Sequence, residues 1–207
     1  MNKEDQPMNP TSDKRKAQLV RVRDLLLDDV QRFVYDQHGP VGQVMERGRG
    51  RHLRIVLRIN QRLGRAGWPH GPWDKEPDRK EWRDTRATPV LPCLIVRQES
   101  MGHLCGYVGV PPGHPWYGKM PSASVHGGVT YGEKCQGNIC HVAQPGESEP
   151  WWVGFDCAHG GDTSPGMIVA GYALRGPFAG VYRTVGYVEA EIRDLVDQAR
   201  AACRVLP

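Results

Sequence analysis

The sequence predicts an α+β fold: two amino-terminal helices, a small mainly antiparallel β-sheet with long Gly/Pro-rich loops, and a carboxy-terminal helix packed on the sheet. Three observations carry that reading. The first part of the chain repeats apolar residues at three- and four-residue spacing, the middle is a series of short β-like runs, and the end is one amphipathic stretch. The 207 residues include 25 Gly and 17 Pro, so turns must be many and strands short. Apolar residues at 39% and charged residues at 24% allow a core and exclude general disorder.

Residues 1–15 are polar and lack periodicity, which predicts a disordered tail. A helical segment, 16–66, follows. Its first helix places Leu19, Val22, Leu26, Val30 and Phe33 on one side and ends at the His38-Gly39-Pro40 breaker. Its second, from about Arg51 to Arg65, has Leu53, Val56, Leu57 and Leu63 on its apolar side. At about 100° per residue, Arg51, Arg54, Arg58, Arg62 and Arg65 share an arc of about 80°. A solvated face explains such a stripe; a contact surface for an anionic small molecule, nucleic acid or acidic partner explains it too, because guanidinium suits anionic oxygens.

An α+β domain is expected over 67–207. Its opening, 67–92, is a Pro-rich strap whose Trp68, Trp73 and Trp82 pin it to the body. The sheet is expected within 93–174. Its strands are Cys93–Arg97, Leu104–Val110, Val125–Tyr131, Ile139–Ala143, Trp151–Cys157 and, weakly, Met167–Leu174. A helix over 185–206, with Val188, Ile192, Leu195, Ala199, Cys203 and Leu206 as its stripe, closes the chain.

Charge and hydropathy narrow the classes. The 27 basic residues exceed the 23 acidic ones by four, too little for a highly basic nucleic-acid coat. No run approaches the roughly 20 apolar residues of a membrane span, and Met1–Pro7 lacks the apolar core of a secretory signal, so a cytoplasmic protein with no membrane partner is expected. In that reducing compartment the six cysteines read as core residues, metal ligands or a nucleophile rather than as disulfides. Cys93, Cys105 and Cys203 are expected to be small buried hydrophobes.

The run Cys105-Gly-Tyr-Val-Gly-Val-Pro-Pro-Gly-His-Pro-Trp-Tyr-Gly118, with Val125-His-Gly-Gly-Val-Thr-Tyr131 and Trp151-Trp-Val-Gly-Phe-Asp-Cys-Ala-His159, resembles an uncharacterised family found in tailed phages and prophages. The resemblance spans roughly residues 68–205. It implies a phage or prophage source, hence a host partner or host cytoplasm, and supplies no chemistry.

The candidate chemistry lies in the second half. Cys157 and His159 alternate with Asp156 along one strand, and His126 starts another. Cys135, Cys140 and His141 sit at a hairpin between strands. Thiolates and neutral imidazoles are zinc's preferred ligands, so zinc is the expected ion, with Cys157, His159, Cys135, Cys140 and His141 as the metal set. His126, Asp156 and Asp162 are the candidate catalytic groups, as base or as orienters of a ligand imidazole. The amides of Gly127, Gly128, Gly160 and Gly161 can cradle an anion. His114, between Gly113 and Pro115, is assigned a turn hydrogen bond.

Three functional readings stay open. One is a binding module for a nucleotide-like or other anionic ligand, or for a host protein. The second is a zinc-dependent hydrolase acting on a phosphate-containing substrate. The third is a thiol hydrolase with Cys157 as nucleophile and His126 as base, an order that resembles circularly permuted papain-like enzymes; against it, the residues after Cys157 cannot form the helix that lowers such a thiol's pKa.

Overall fold

The computed structural model describes residues 10–33, 51–140 except 53, 57, 60 and 61, 148–169 and 180–204. The chain forms two compact units: Met1–Pro69 with Glu99–Met101 and Pro165–Leu174, and His70–Gln98 with Gly102–Ser164 and Arg175–Pro207.

In the first unit a helix runs over Pro10–Phe33. It starts ahead of the expected Lys16, within what the sequence reads as tail. Proline is suited to a first helical turn, where its missing N–H costs nothing, and Asp13 in that turn complements the helix dipole. Residues 1–9 of the expected tail lie outside the described residues. Residues 51, 52, 54–56, 58, 59, 62 and 63 are helical, followed by a 3-10 turn at Gly64–Gly67. Val56, Ile59 and Leu63 are buried, whereas Arg51, Arg54, Arg58 and Arg62 are exposed. The Arg23 guanidinium, also buried, donates to the Gly67 carbonyl. Pro165–Val169 is a short helix, not the start of the expected strand 167–174. Pro165 opens it with a φ already suited to helix; residues 170–174 lie outside the described residues.

The second unit is built on a five-stranded antiparallel sheet. Its strands are β1 (Arg79–Asp84), β2 (Leu91–Arg97), β3 (Leu104–Val110), β4 (Tyr131–Glu133) and β5 (Trp151–Asp156), in the order β1-β2-β3-β5-β4. Alternation sorts the side chains. Leu91, Cys93, Ile95, Leu104, Val108, Val110, Phe155 and Cys157 face the closing helix, Val185–Arg204. That helix presents Val188, Ile192, Leu195, Val196 and Ala199, the periodic stripe of an amphipathic helix. Gly106 permits the approach: a Cβ there would stand 2.7 Å from the Phe155 ring and 3.0 Å from Ile192. The other sheet face buries Leu94, Val96, Cys105, Tyr107 and Trp152.

Several expectations need correction. β1 lies inside the strap; Arg79, Lys80 and Glu81 are exposed on an edge strand, so no apolar alternation announces it. Trp82 still packs on the core, and Trp73 is buried edge-on to Tyr182. Val125–Thr130 is turn and loop rather than strand, since Gly127 and Gly128 adopt φ of +65° and +86°. Only an isolated bridge, Gln136↔Ile139, stands where a strand over 139–143 is expected, and 141–143 lie outside the described residues. Cys203 is exposed, one turn beyond the helix's buried stripe. Cys135 and Cys140 are joined in a disulfide: the hairpin between them sets their Cα atoms 4.9 Å apart, inside the range a bridge needs. No helix among the described residues is long and apolar enough to cross a membrane.

Candidate metal centre

Two short segments and a helix start position the site. β5 ends at Asp156, and the Cys157 amide extends the ladder by donating to the Leu104 carbonyl at 3.0 Å. The chain then turns through His159, Gly160 and Gly161. The Asp162 amide donates to the His159 carbonyl at 3.0 Å, and Gly161 supplies the left-handed φ of +93°. Asp162–Thr163 (β6) pairs in parallel with Val181–Tyr182 (β7). That pairing brings Arg183 beside Asp162. Thr184 then caps the closing helix, its hydroxyl accepting from the Tyr187 amide. Glu76 fixes the same helix start, accepting from the Val185 amide at 2.9 Å, from Arg97 at 3.1 Å and from the Tyr182 hydroxyl.

Asp162 is the hub. Its carboxylate is almost sealed from solvent, at 1% side-chain exposure. Oδ1 accepts from Arg183 Nε at 2.8 Å, and Oδ2 accepts from His126 Nε2 at 2.7 Å and from the His159 amide at 3.0 Å. Burial pushes this carboxyl up, but Arg183, His126 and the His159 amide outweigh it and hold it below the ordinary value. The carboxylate is therefore ionised and accepts only, so His126 carries its proton on Nε2 when neutral, and Nδ1 accepts from the Tyr187 hydroxyl at 3.0 Å. The His126 backbone is fixed as well, its amide donating to Glu191 at 2.7 Å.

His159 completes the group. Its ring lies edge-on to His126, with centroids 5.4 Å apart. It packs on Gly127, where any Cβ would overlap the imidazole. Its Nδ1 is buried with no hydrogen-bond partner, 3.9 Å from Asp162 Oδ2 and 3.8 Å from Asp156 Oδ1. One ligand atom from each of His126, His159 and Asp162 lies within 4.8 Å of the others, so the three can hold a metal ion. An orphaned imidazole nitrogen beside an ionised carboxylate is a donor set that suits one.

The other candidate residues fall elsewhere. Cys157 points away from the group into the core and is 2% exposed; burial, with Asp162 and Cys105 nearby, pushes its thiol far up. A sealed, protonated thiol is neither a ligand nor a nucleophile at neutral pH, which argues against the thiol-hydrolase reading. Cys135 and Cys140, being bonded to each other, offer no free thiolate, and this corrects their assignment to zinc. His141 lies outside the described residues. Asp156 is engaged by the Thr130 hydroxyl at 2.9 Å and the Ala158 amide at 3.1 Å, so it secures the turn. Gly127 is covered by His159 rather than open, whereas Gly128, Gly160 and Gly161 have free space where a side chain would begin. His114 makes its turn hydrogen bond: Nδ1 accepts from the Trp116 amide at 3.0 Å, and Nε2 donates to the Ala199 carbonyl.

Arg183, Tyr187 and Glu191 were not singled out by sequence. No sequence pattern marks them, since they meet the site only through the β6–β7 pairing and the helix that follows it. His103 also belongs to these surroundings. Burial holds its imidazole below the ordinary value despite Asp156 and Asp162, and its Nδ1 has no hydrogen-bond partner. Comparison with protein-family models, with curated proteins and with solved structures finds no match to this chain.

Proposed function

We propose that the chain is a zinc-dependent hydrolase acting on a phosphate-containing substrate, a phage or prophage accessory protein by its Cys105–Gly118 and Trp151–His159 motifs. The observation that carries this reading is the convergence of His126, His159 and Asp162 within 4.8 Å. Three protein ligands leave one tetrahedral position open, which is the pattern of catalytic rather than structural zinc sites. When bound, zinc lowers the pKa of a coordinated water towards about 7 and supplies hydroxide at neutral pH.

The chain's own residues do the rest. Arg183 holds one oxygen of Asp162 and leaves the other facing both imidazoles. With a metal on Nε2, the proton of His126 would sit on Nδ1 and be donated to the Tyr187 hydroxyl oxygen, which fixes the ring plane. The open backbone at Gly160 and Gly161 gives an anionic group room to approach the main chain, whereas the Gly128 amide already donates to the Val125 carbonyl at 2.9 Å. Hydrolysis of a chromogenic phosphodiester by the zinc-loaded protein tests the reading. The expected result is a rate that chelator removes and that His159→Ala lowers at least 100-fold. A rate indifferent to both contradicts it.

A second reading is capture of an anionic ligand without turnover. The engagement of Asp156 by Thr130 and Ala158 supports it, because that carboxylate is not free to act as a base. In that case inorganic phosphate binds the zinc-loaded protein stoichiometrically and the phosphodiester stays intact.

A further inference from the structure

We infer that the arginine face over residues 51–62 binds the phosphate backbone of nucleic acid without regard to sequence, independently of the metal centre. Between Glu46 and Asp74 the chain carries seven arginines, no lysine and no acidic residue. Taking those seven from the 27 basic residues leaves 20 against all 23 acidic ones, so this stretch holds the protein's entire positive excess. Its polarity is ordered. Val56, Ile59 and Leu63 are buried, while Arg51, Arg54, Arg58 and Arg62 are all exposed. Among the described residues none of the four has an acidic partner.

The use of arginine throughout is informative. A solubilising face has no reason to prefer it, whereas the planar guanidinium fork matches phosphate oxygens in pairs. At about 1.5 Å rise per residue the four span about 16 Å of helix, the length of about five phosphates at 3.4 Å per strand. Sequence reading is not expected, since guanidinium contacts to phosphate oxygens fix a duplex in place without reading its bases.

The test is binding of the full chain to a duplex of arbitrary sequence, followed by fluorescence anisotropy at two salt concentrations. Four phosphate contacts give a log–log slope of about −3.6, so affinity falls about 150-fold between 50 and 200 mM salt. Arg58→Ala with Arg62→Ala halves that slope, to a fall of about 12-fold. Arg51→Ala with Arg54→Ala does the same, and it answers the question if the first pair fails to fold. An RNA duplex that binds with the same slope fits the inference. It is overturned by absence of binding at 50 mM salt, by a slope that neither pair alters, or by tighter binding to anionic vesicles or an acidic polypeptide than to the duplex.

Discussion

His126 Nε2 and Asp162 Oδ2 stand 2.7 Å apart although 36 residues separate them in the chain. The contact ties a glycine turn to the short β6–β7 pair, and Arg183 and Tyr187 hold its two ends. Asp162 meets three donors inside the protein, so the centre is built around a fixed charge rather than a mobile side chain.

Tyr187→Phe removes the hydroxyl that orients His126 while keeping the ring that stacks under Arg183 at 4.8 Å. Loss of such an outer partner lowers metal affinity by about 10–100-fold. Zinc competition with a chromogenic chelator measures this, and the melting temperature should shift little. Unchanged affinity would show that Tyr187 does not orient the ligand.

Gly127→Ala tests how His159 is seated. The new methyl meets the imidazole, and the φ of +65° strains any L side chain. Backbone strain of this kind costs about 1–3 kcal/mol, so the melting temperature should fall and zinc binding should weaken together. Wild-type metal binding in this variant would place His159 outside the centre.

The closing helix and the central strands were legible because burial repeats in them. Val188, Ile192, Leu195 and Ala199 recur at helical spacing, and Leu91–Arg97 and Leu104–Val110 are buried throughout. β1 was not, since an edge strand needs no apolar face and Arg79–Glu81 supply none. Of the site, His126, His159 and Asp162 could be singled out as chemistry-bearing groups in Gly-rich surroundings. Cys157 could not be separated from them, because strand alternation says which residues share a face but not which face meets the core. The Cys135–Cys140 bridge depends on a tight hairpin, and Arg183 and Tyr187 reach the centre only through the β6–β7 pairing.

Cys135→Ser with Cys140→Ser tests the corrected role of those residues. The bridge closes a loop of sequence separation 5. Its loss costs about 2 kcal/mol by the chain-entropy relation and should leave zinc content unchanged. Loss of zinc from the double variant would return the pair to the metal set.

Acid stability should depend on Asp84, whose buried carboxylate pairs with Arg200 at 3.0 Å and with Arg86 at 2.7 Å. Burial pushes its pKa up, but hydrogen bonds from Arg86 and Arg200 prevail and hold it below the ordinary value. A depressed carboxylate contributes stability above its unfolded pKa of about 3.9, and that contribution is lost as pH falls through the folded value. Thermal melts between about pH 6 and 2 should therefore show a steeper acid limb for wild type than for Asp84→Asn, which is also less stable at neutral pH by about 1.5–3 kcal/mol, because Arg200 loses its charged hydrogen-bond acceptor and keeps Asp197 at 3.8 Å and main-chain carbonyls. Equal acid limbs would remove Asp84 from that role.

The most direct measurement is the metal content of untagged protein, by elemental analysis, for wild type, His126→Ala and His159→Ala. The account predicts one zinc per chain in wild type and a large loss in both variants, with melting temperatures that fall only as far as the lost metal explains. Wild-type protein that takes up no metal when offered zinc, or variants that melt far below wild type yet keep a full complement, would contradict it and leave the two histidines as structural residues.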